Sequence, residues 1–232
     1  TNKISPTDNA TAQLFYFENT GTLTNPQFEE RANIPLFKNY HYAPTLGDLD
    51  NDGDLDMLVG TWNKGIGFFR NKGTKYKPNF VLEDTRSIAL TRGSNSAPTL
   101  HDIDGDGDLD LFVGESSGEI NFYRNEGGPE NPAFELISDR FADIDVGRRS
   151  FPAFADLDTD GNYELLIGSE TGEVSLYREI TNNGEISFKQ DSSFTMSLSN
   201  YSTPVIADVN NDGKVDIISG SLGGGLLFYY GR

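Results

Sequence analysis

With 232 residues, no cysteine and 23% charged side chains, the chain is long enough for one well-packed domain held together without disulfides. Its formal net charge is −18, with 18 Lys and Arg against 36 Asp and Glu, which excludes a nucleic-acid partner because phosphate binding needs clustered cations. No apolar run nears the roughly 18 residues of a membrane span, and no charged-then-apolar leader opens the chain, so Thr1 is expected to be a mature or trimmed terminus.

In chain order, the first predicted element is a surplus strand within 12–19, followed by a short strand over 27–30. A four-strand unit comes next. Its inner strand lies around 43–48, its second strand at 55–60, its third at 66–71 and its outer strand at 80–83. The second strand is almost wholly apolar, as expected of a strand buried on both faces, and the third is aromatic and ends in a charge. No stretch keeps a 3.6-residue apolar period, so almost no helix is expected.

Between the inner and second strands lies an acidic loop, Asp48-Leu-Asp50-Asn-Asp52-Gly53-Asp54-Leu-Asp56, and this loop recurs three times. The second copy carries Asp102, Asp104, Asp106, Gly107, Asp108 and Asp110; the third Asp156, Asp158, Asp160, Gly161, Asn162 and Glu164. The fourth carries Asp208, Asn210, Asp212, Gly213, Lys214 and Asp216. Successive copies start 54, 54 and 52 residues apart. Pro44, Pro98, Pro152 and Pro204 precede the loops in phase, and Gly60, Gly114, Gly168 and Gly220 close the apolar runs that follow. Such a period with four short strands per unit predicts an all-β fold, a β-propeller of four blades or part of a larger seven- or eight-bladed ring. The whole of 1–232 is read as one domain, with repeats over about 19–70, 71–124, 125–178 and 179–232.

Hard oxygen donors on alternate residues, with a glycine after the third to let the backbone turn, suit Ca²⁺, and four sites are expected. The absence of thiolates and the presence of only two histidines remove the case for zinc, copper or iron. An EF-hand is excluded because its twelfth position requires Glu, and here that position is Val59, Val113, Ile167 and Ser219.

Repeated D-x-[DN]-x-D-G-x-x-[DE] followed by an apolar run and Gly resembles the FG-GAP/VCBS repeats of integrin-type β-propellers. The resemblance implies that side chains one, three, five and nine, with the backbone carbonyls of Asp54, Asp108, Asn162 and Lys214, bind calcium. Site four, with Asn210 in its third position, is expected to be the weakest. It also implies that ligands bind on the face opposite these loops, where Tyr40, His41, Trp62, Arg92, Arg148, Arg149 and Tyr201 are the candidates. Aromatic rings beside arginines there would suit a glycan.

Calcium loops of this kind fill where the ion is millimolar, so a secreted or cell-surface location is expected. No Ser-His-Asp order or nucleophile elbow stands out, and His101, beside an acidic loop, reads as a packing residue. The expectation is a non-enzymatic adhesion or structural module, with a glycan-binding lectin or part of a polysaccharide lyase as alternatives. The strand count stays open at the ends. The fourth unit lacks an outer strand, which 28–31 would supply if four blades close into a ring. The surplus strand at 14–19 would otherwise belong to a larger ring or pair with another copy of the chain.

Overall fold

The computed structural model describes residues 12–31, 34, 36, 39–62, 65–88, 94–182, 185–194, 196–198, 200–220 and 226–231. Its strands are β1 (Phe17–Asn19), β2 (Phe28–Glu30), β3 (Tyr42–Gly47), β4 (Asp56–Thr61), β5 (Ile66–Asn71), β6 (Phe80–Ile88), β7 (Ala97–His101), β8 (Asp110–Gly114), β9 (Ile120–Asn125), β10 (Phe134–Ser138), β11 (Phe151–Ala155), β12 (Glu164–Gly168), β13 (Glu173–Asn182), β14 (Glu185–Gln190), β15 (Met196–Ser197), β16 (Thr203–Ala207), β17 (Asp216–Gly220) and β18 (Leu226–Tyr229). A single 3-10 turn at Phe141–Asp143 is the one helical element among the described residues. None of their helices is long and apolar enough to cross a membrane.

The strands form four antiparallel blades arranged as a β-propeller: β3-β4-β5-β6, β7-β8-β9-β10, β11-β12-β13-β14 with β15 beside β13, and β16-β17-β18. Each sheet is a run of consecutive strands, so the blades occupy 42–88, 97–138, 151–197 and 203–229, a different phase from repeats divided at 71, 125 and 179.

The apolar second strands explain how blades stack. Leu111 and Val113 on β8 turn back to Leu58 of the first blade, while Phe112 between them turns forward to Leu165 and Ile167 of the third. Leu166 in turn meets Ile206 and Ile217 of the fourth. Side chains alternate across a strand, so a strand wedged between two sheets must be apolar at every position. Each fully buried Leu or Phe of this kind contributes roughly 1.5–3 kcal/mol.

A second inter-blade contact lies at the far end of β4, β8 and β12. The Thr61 amide donates to Ser96 Oγ at 2.7 Å, that of Glu115 to Ser150 Oγ at 3.0 Å and that of Ser169 to Ser202 Oγ at 3.2 Å. The serine amides return the bond to the carbonyls of Thr61, Glu115 and Ser169 at 3.1, 3.1 and 3.2 Å. Glycine precedes each of these residues for lack of room. A Cβ on Gly60, Gly114 or Gly168 would fall 2.1, 2.1 or 2.3 Å from the carbonyl oxygen of the next blade's serine.

Among the described residues, inner strands stack β3 on β7, β7 on β11 and β11 on β16, with no packing of that extent between β16 and β3 to close the ring. The first blade's free face, Met57, Val59 and Phe69, is instead covered by Leu14, Ile34 and Leu36. Nor does the segment at 28–31 complete the fourth blade. Phe28–Glu30 pairs with Phe17–Asn19 as a two-stranded hairpin, aided by Asn19 Oδ1, which accepts from the Gly21 and Gln27 amides at 2.9 Å each. The predicted surplus strand is therefore paired within the chain. The far face of the fourth blade stays open, with Val205 58% and Leu226 63% exposed. An open cleft of about 900 Å³ runs between the inner strands, lined by Pro44, Pro98, Pro152 and Pro204 together with Leu14, Met57 and Phe80.

Candidate functional site

The acidic loops are shaped by their own side chains, three of the four by the same pair of bonds from the first aspartate. Asp48 accepts from the amides of Asp52 at 3.2 Å and Gly53 at 3.0 Å, and Asp156 and Asp208 repeat the pair with Asp160 and Gly161, and with Asp212 and Gly213. Asp102 instead takes the amides of Gly105 and Gly107. The sixth-position glycines have φ between 83° and 96°, a left-handed region open to glycine at no steric cost. Amides at position seven, from Asp54, Asp108, Asn162 and Lys214, donate to the fifth-position carboxylates of Asp52, Asp106, Asp160 and Asp212.

The ninth-position acid ties the loop to the sheet. Asp56, Asp110 and Asp216 are buried, and one oxygen of each accepts from the amide that ends or follows the third strand: Asn71 at 2.7 Å, Asn125 at 2.8 Å and Gly231 at 2.9 Å. The loop's second-position amide donates to the other oxygen, Ile103 to Asp110 at 3.4 Å and Val209 to Asp216 at 3.1 Å, and Glu164 takes the equivalent Leu157 amide at 2.9 Å.

Carboxylate oxygens of Asp48, Asp50 and Asp52 lie within 4.8 Å of one another, as do those of Asp102, Asp104 and Asp106, and of Asp156, Asp158 and Glu164. No such group of three acids forms in the fourth loop among the described residues, where Asn210 replaces an acid and donates to Asp212 at 3.3 Å. In the first loop, Asp50 Oδ1, Asp54 Oδ1 and Asp56 Oδ2 are buried with no hydrogen-bond partner. Burial is the main force raising Asp56 above the ordinary carboxylate range, and it holds Asp110 at about 6. Asp54 and Asp108 are also raised, by desolvation and then by the neighbouring acids of their loops. Oxygen-only donors, orphaned and crowded with like charge, fit a hard divalent cation.

An arginine that the sequence reading passed over enters these loops from the third strand. Arg70 bonds Asp50 and lies 3.8 Å from Asp56; Arg124 lies 3.5 Å from Asp104; Arg178 meets Asp158 at 3.0 Å and Glu164 at 3.1 Å. Its constant place, 22 residues after the first aspartate, was the available signal.

On the opposite face the structure brings together part of the proposed ligand set. Arg149 lies over the Tyr201 ring at 4.9 Å, and its charge adds to burial in lowering the pKa of His41. Arg148 and Arg149 both meet Glu170, at 3.5 and 3.2 Å, so neither guanidinium is held ready for an anion. Trp62 is 44% exposed and joins this face through its carbonyl, which accepts from the Asn95 amide. Tyr40 is half-buried, its amide donating to Asn39 Oδ1 at 2.9 Å, and Arg92 lies outside the described residues. His101 is stacked on Phe154 at 4.5 Å and against Tyr163 at 4.4 Å, and burial lowers its pKa, as fits a packing residue.

Comparison with known proteins agrees with this geometry. Cartilage acidic protein 1 of Xenopus tropicalis is 25% identical over 170 residues, which cover 69% of this chain and 25% of that protein. The chain thus spans about a quarter of that relative's length. The FG-GAP-like repeat matches three times in overlapping stretches, residues 48–113, 102–167 and 156–219, each opening on the first aspartate of one acidic loop and closing on the second strand of the next blade. With matches running from 48 to 219, the chain belongs to the FG-GAP-like repeat family.

Proposed function

We propose that this chain is a calcium-stabilised β-propeller module that works outside the cell in adhesion or as a structural building block, without catalysing a reaction. The observation that carries this reading is the first acidic loop, where three buried carboxylate oxygens have no hydrogen-bond partner. Arg70 offsets only part of the negative charge of this loop, so folding and calcium binding are coupled. The ligands would be the side chains at positions one, three, five and nine of each loop, with the position-seven carbonyls. The kinship with a protein named for cartilage supports an extracellular, non-enzymatic role.

Differential scanning calorimetry with calcium and then with excess chelator tests the reading. A large fall in melting temperature on chelation is expected, and an unchanged melt overturns it. Sedimentation velocity in calcium separates a monomeric module from a self-assembling scaffold. Phe17–Asn19 pairs with Phe28–Glu30 along one edge of a two-stranded sheet, so assembly through that strand would have to use its other edge.

A lectin is the second reading, favoured by the stacked Arg149 and Tyr201 beside His41. Binding on a glycan array that Trp62→Ala or Tyr201→Ala removes would move it to first place.

A further inference from the structure

The four repeats form an internal experiment on one pair of positions. In the first three blades the third loop residue is an aspartate, and the residue 20 places later is an arginine: Asp50 with Arg70, Asp104 with Arg124, Asp158 with Arg178. In the fourth both change together, to Asn210 and Tyr230. The structure shows why the pair travels as one. Each arginine lies on the third strand beside the loop, next to last in β5 and β9 and within β13, and turns its guanidinium to the third-position carboxylate, Arg124 by a looser ion pair at 3.5 Å. A second acid steadies it from the outer side in two blades, Glu83 at 3.0 Å from Arg70 and Asp191 at 3.1 Å from Arg178.

We propose that Arg70, Arg124 and Arg178 are resident counter-cations of the acidic loops, holding them folded when no metal is bound and lowering their affinity for it. The proposal rests on the calcium reading above. A guanidinium on one ligand carboxylate does two opposed things. It offsets the like charge that would otherwise splay the loop, and it places a positive charge a few ångströms from where a divalent cation must sit, so it repels that cation. The first effect acts in the ion-free protein and the second in the loaded one, and together they narrow the stability gap between the two states. The device is graded. Arg70 is the most enclosed, its side chain 14% exposed against 42% for Arg124 and 45% for Arg178, so it is screened least by solvent. These arginines are positioning residues, since they act on the cation through a ligand and not by touching it.

The sixth-position glycine amides give one reporter per loop. A ¹⁵N-detected calcium titration of the full chain should show Gly53 in Arg70→Gln responding at about tenfold lower calcium than in the wild type, with Gly161 unmoved. Arg70→Lys, which keeps the charge, should leave the Gly53 midpoint near its wild-type value. In chelator, Arg70→Gln should melt earlier than the wild type. Arg178→Gln, at a more exposed site, repeats the test with Gly161 as reporter should the first variant fail to fold. A midpoint that stays put or moves to higher calcium in the glutamine variants overturns the proposal, because the arginine would then only orient the ligand. If wild-type glycines ignore calcium altogether, the calcium reading itself falls and takes this one with it.

Discussion

The two ends of a blade solve the same problem with different chemistry. At one end a serine hydroxyl and a backbone amide exchange hydrogen bonds with the neighbouring blade, all neutral groups, with glycine giving the room. At the other end three to five acids crowd one turn, and in the first loop three of their oxygens have no hydrogen-bond partner. A neutral junction has the same strength whatever the solution holds. The charged one depends on the ion that fills it, so one sheet carries both a fixed and a conditional fastening.

Chelation at neutral pH should have the largest effect and break the comparison at its conditional end. Ligand binding at a hundredfold excess over Kd stabilises by about 2.7 kcal/mol per site, so emptying several loops should lower the melting temperature by ten degrees or more in calorimetry. Next comes Gly114→Val, whose added side chain would meet the Ser150 carbonyl oxygen. It should cost about 3 kcal/mol or more in urea unfolding, to the same extent with calcium or chelator. Ser150→Ala removes the acceptor of the Glu115 amide and the donor to the Glu119 carbonyl at 2.6 Å, and should cost about 2 kcal/mol, again without regard to calcium. If either variant lost its effect in chelator, the two ends would be coupled and the division drawn here would fail.

The smallest effect is in pH and sharpens the charged end. Asp110 in the ion-free fold titrates at about 6 against an ordinary 3.8, because burial disfavours its charge. The folded state therefore binds that proton more tightly than the unfolded state. Its contribution is fully present below pH 3.8 and is lost as pH rises towards 6. In chelator, the wild type should accordingly lose melting temperature relative to Asp110→Asn across that range, and the difference should be flat above it.

What the sequence revealed was whatever repeats with a chemical signature. Acids at alternate positions announced the loops, and continuous apolar runs such as Leu111-Phe-Val announced strands covered on both sides. Ser96, Ser150 and Ser202 passed unnoticed because a serine two residues before a proline carries no charge or periodicity, and its role exists only once two blades meet. Arg70 looked like an exposed strand end until the strand register placed it at Asp50. Ring closure stayed open in the sequence for a similar reason. Whether residues 28–30 pair with 17–19 or with the last blade is decided by a tight local turn outcompeting a distant edge, which strand patterns alone do not rank.

The serine junctions also give the molecule a mechanical grain. Each one ties the end of one blade's second strand to the start of the next blade's inner strand, so blades two and three are clasped from both sides. Among the described residues the fourth is clasped through Ser202 alone, and at Gly220 the nearest neighbour of an added Cβ is the blade's own Thr203 at 3.1 Å. Pulled apart in an optical trap, the chain should shed this blade first and at the lowest force, the middle pair holding until a clasp on one side is torn, so that extension arrives in blade-sized steps.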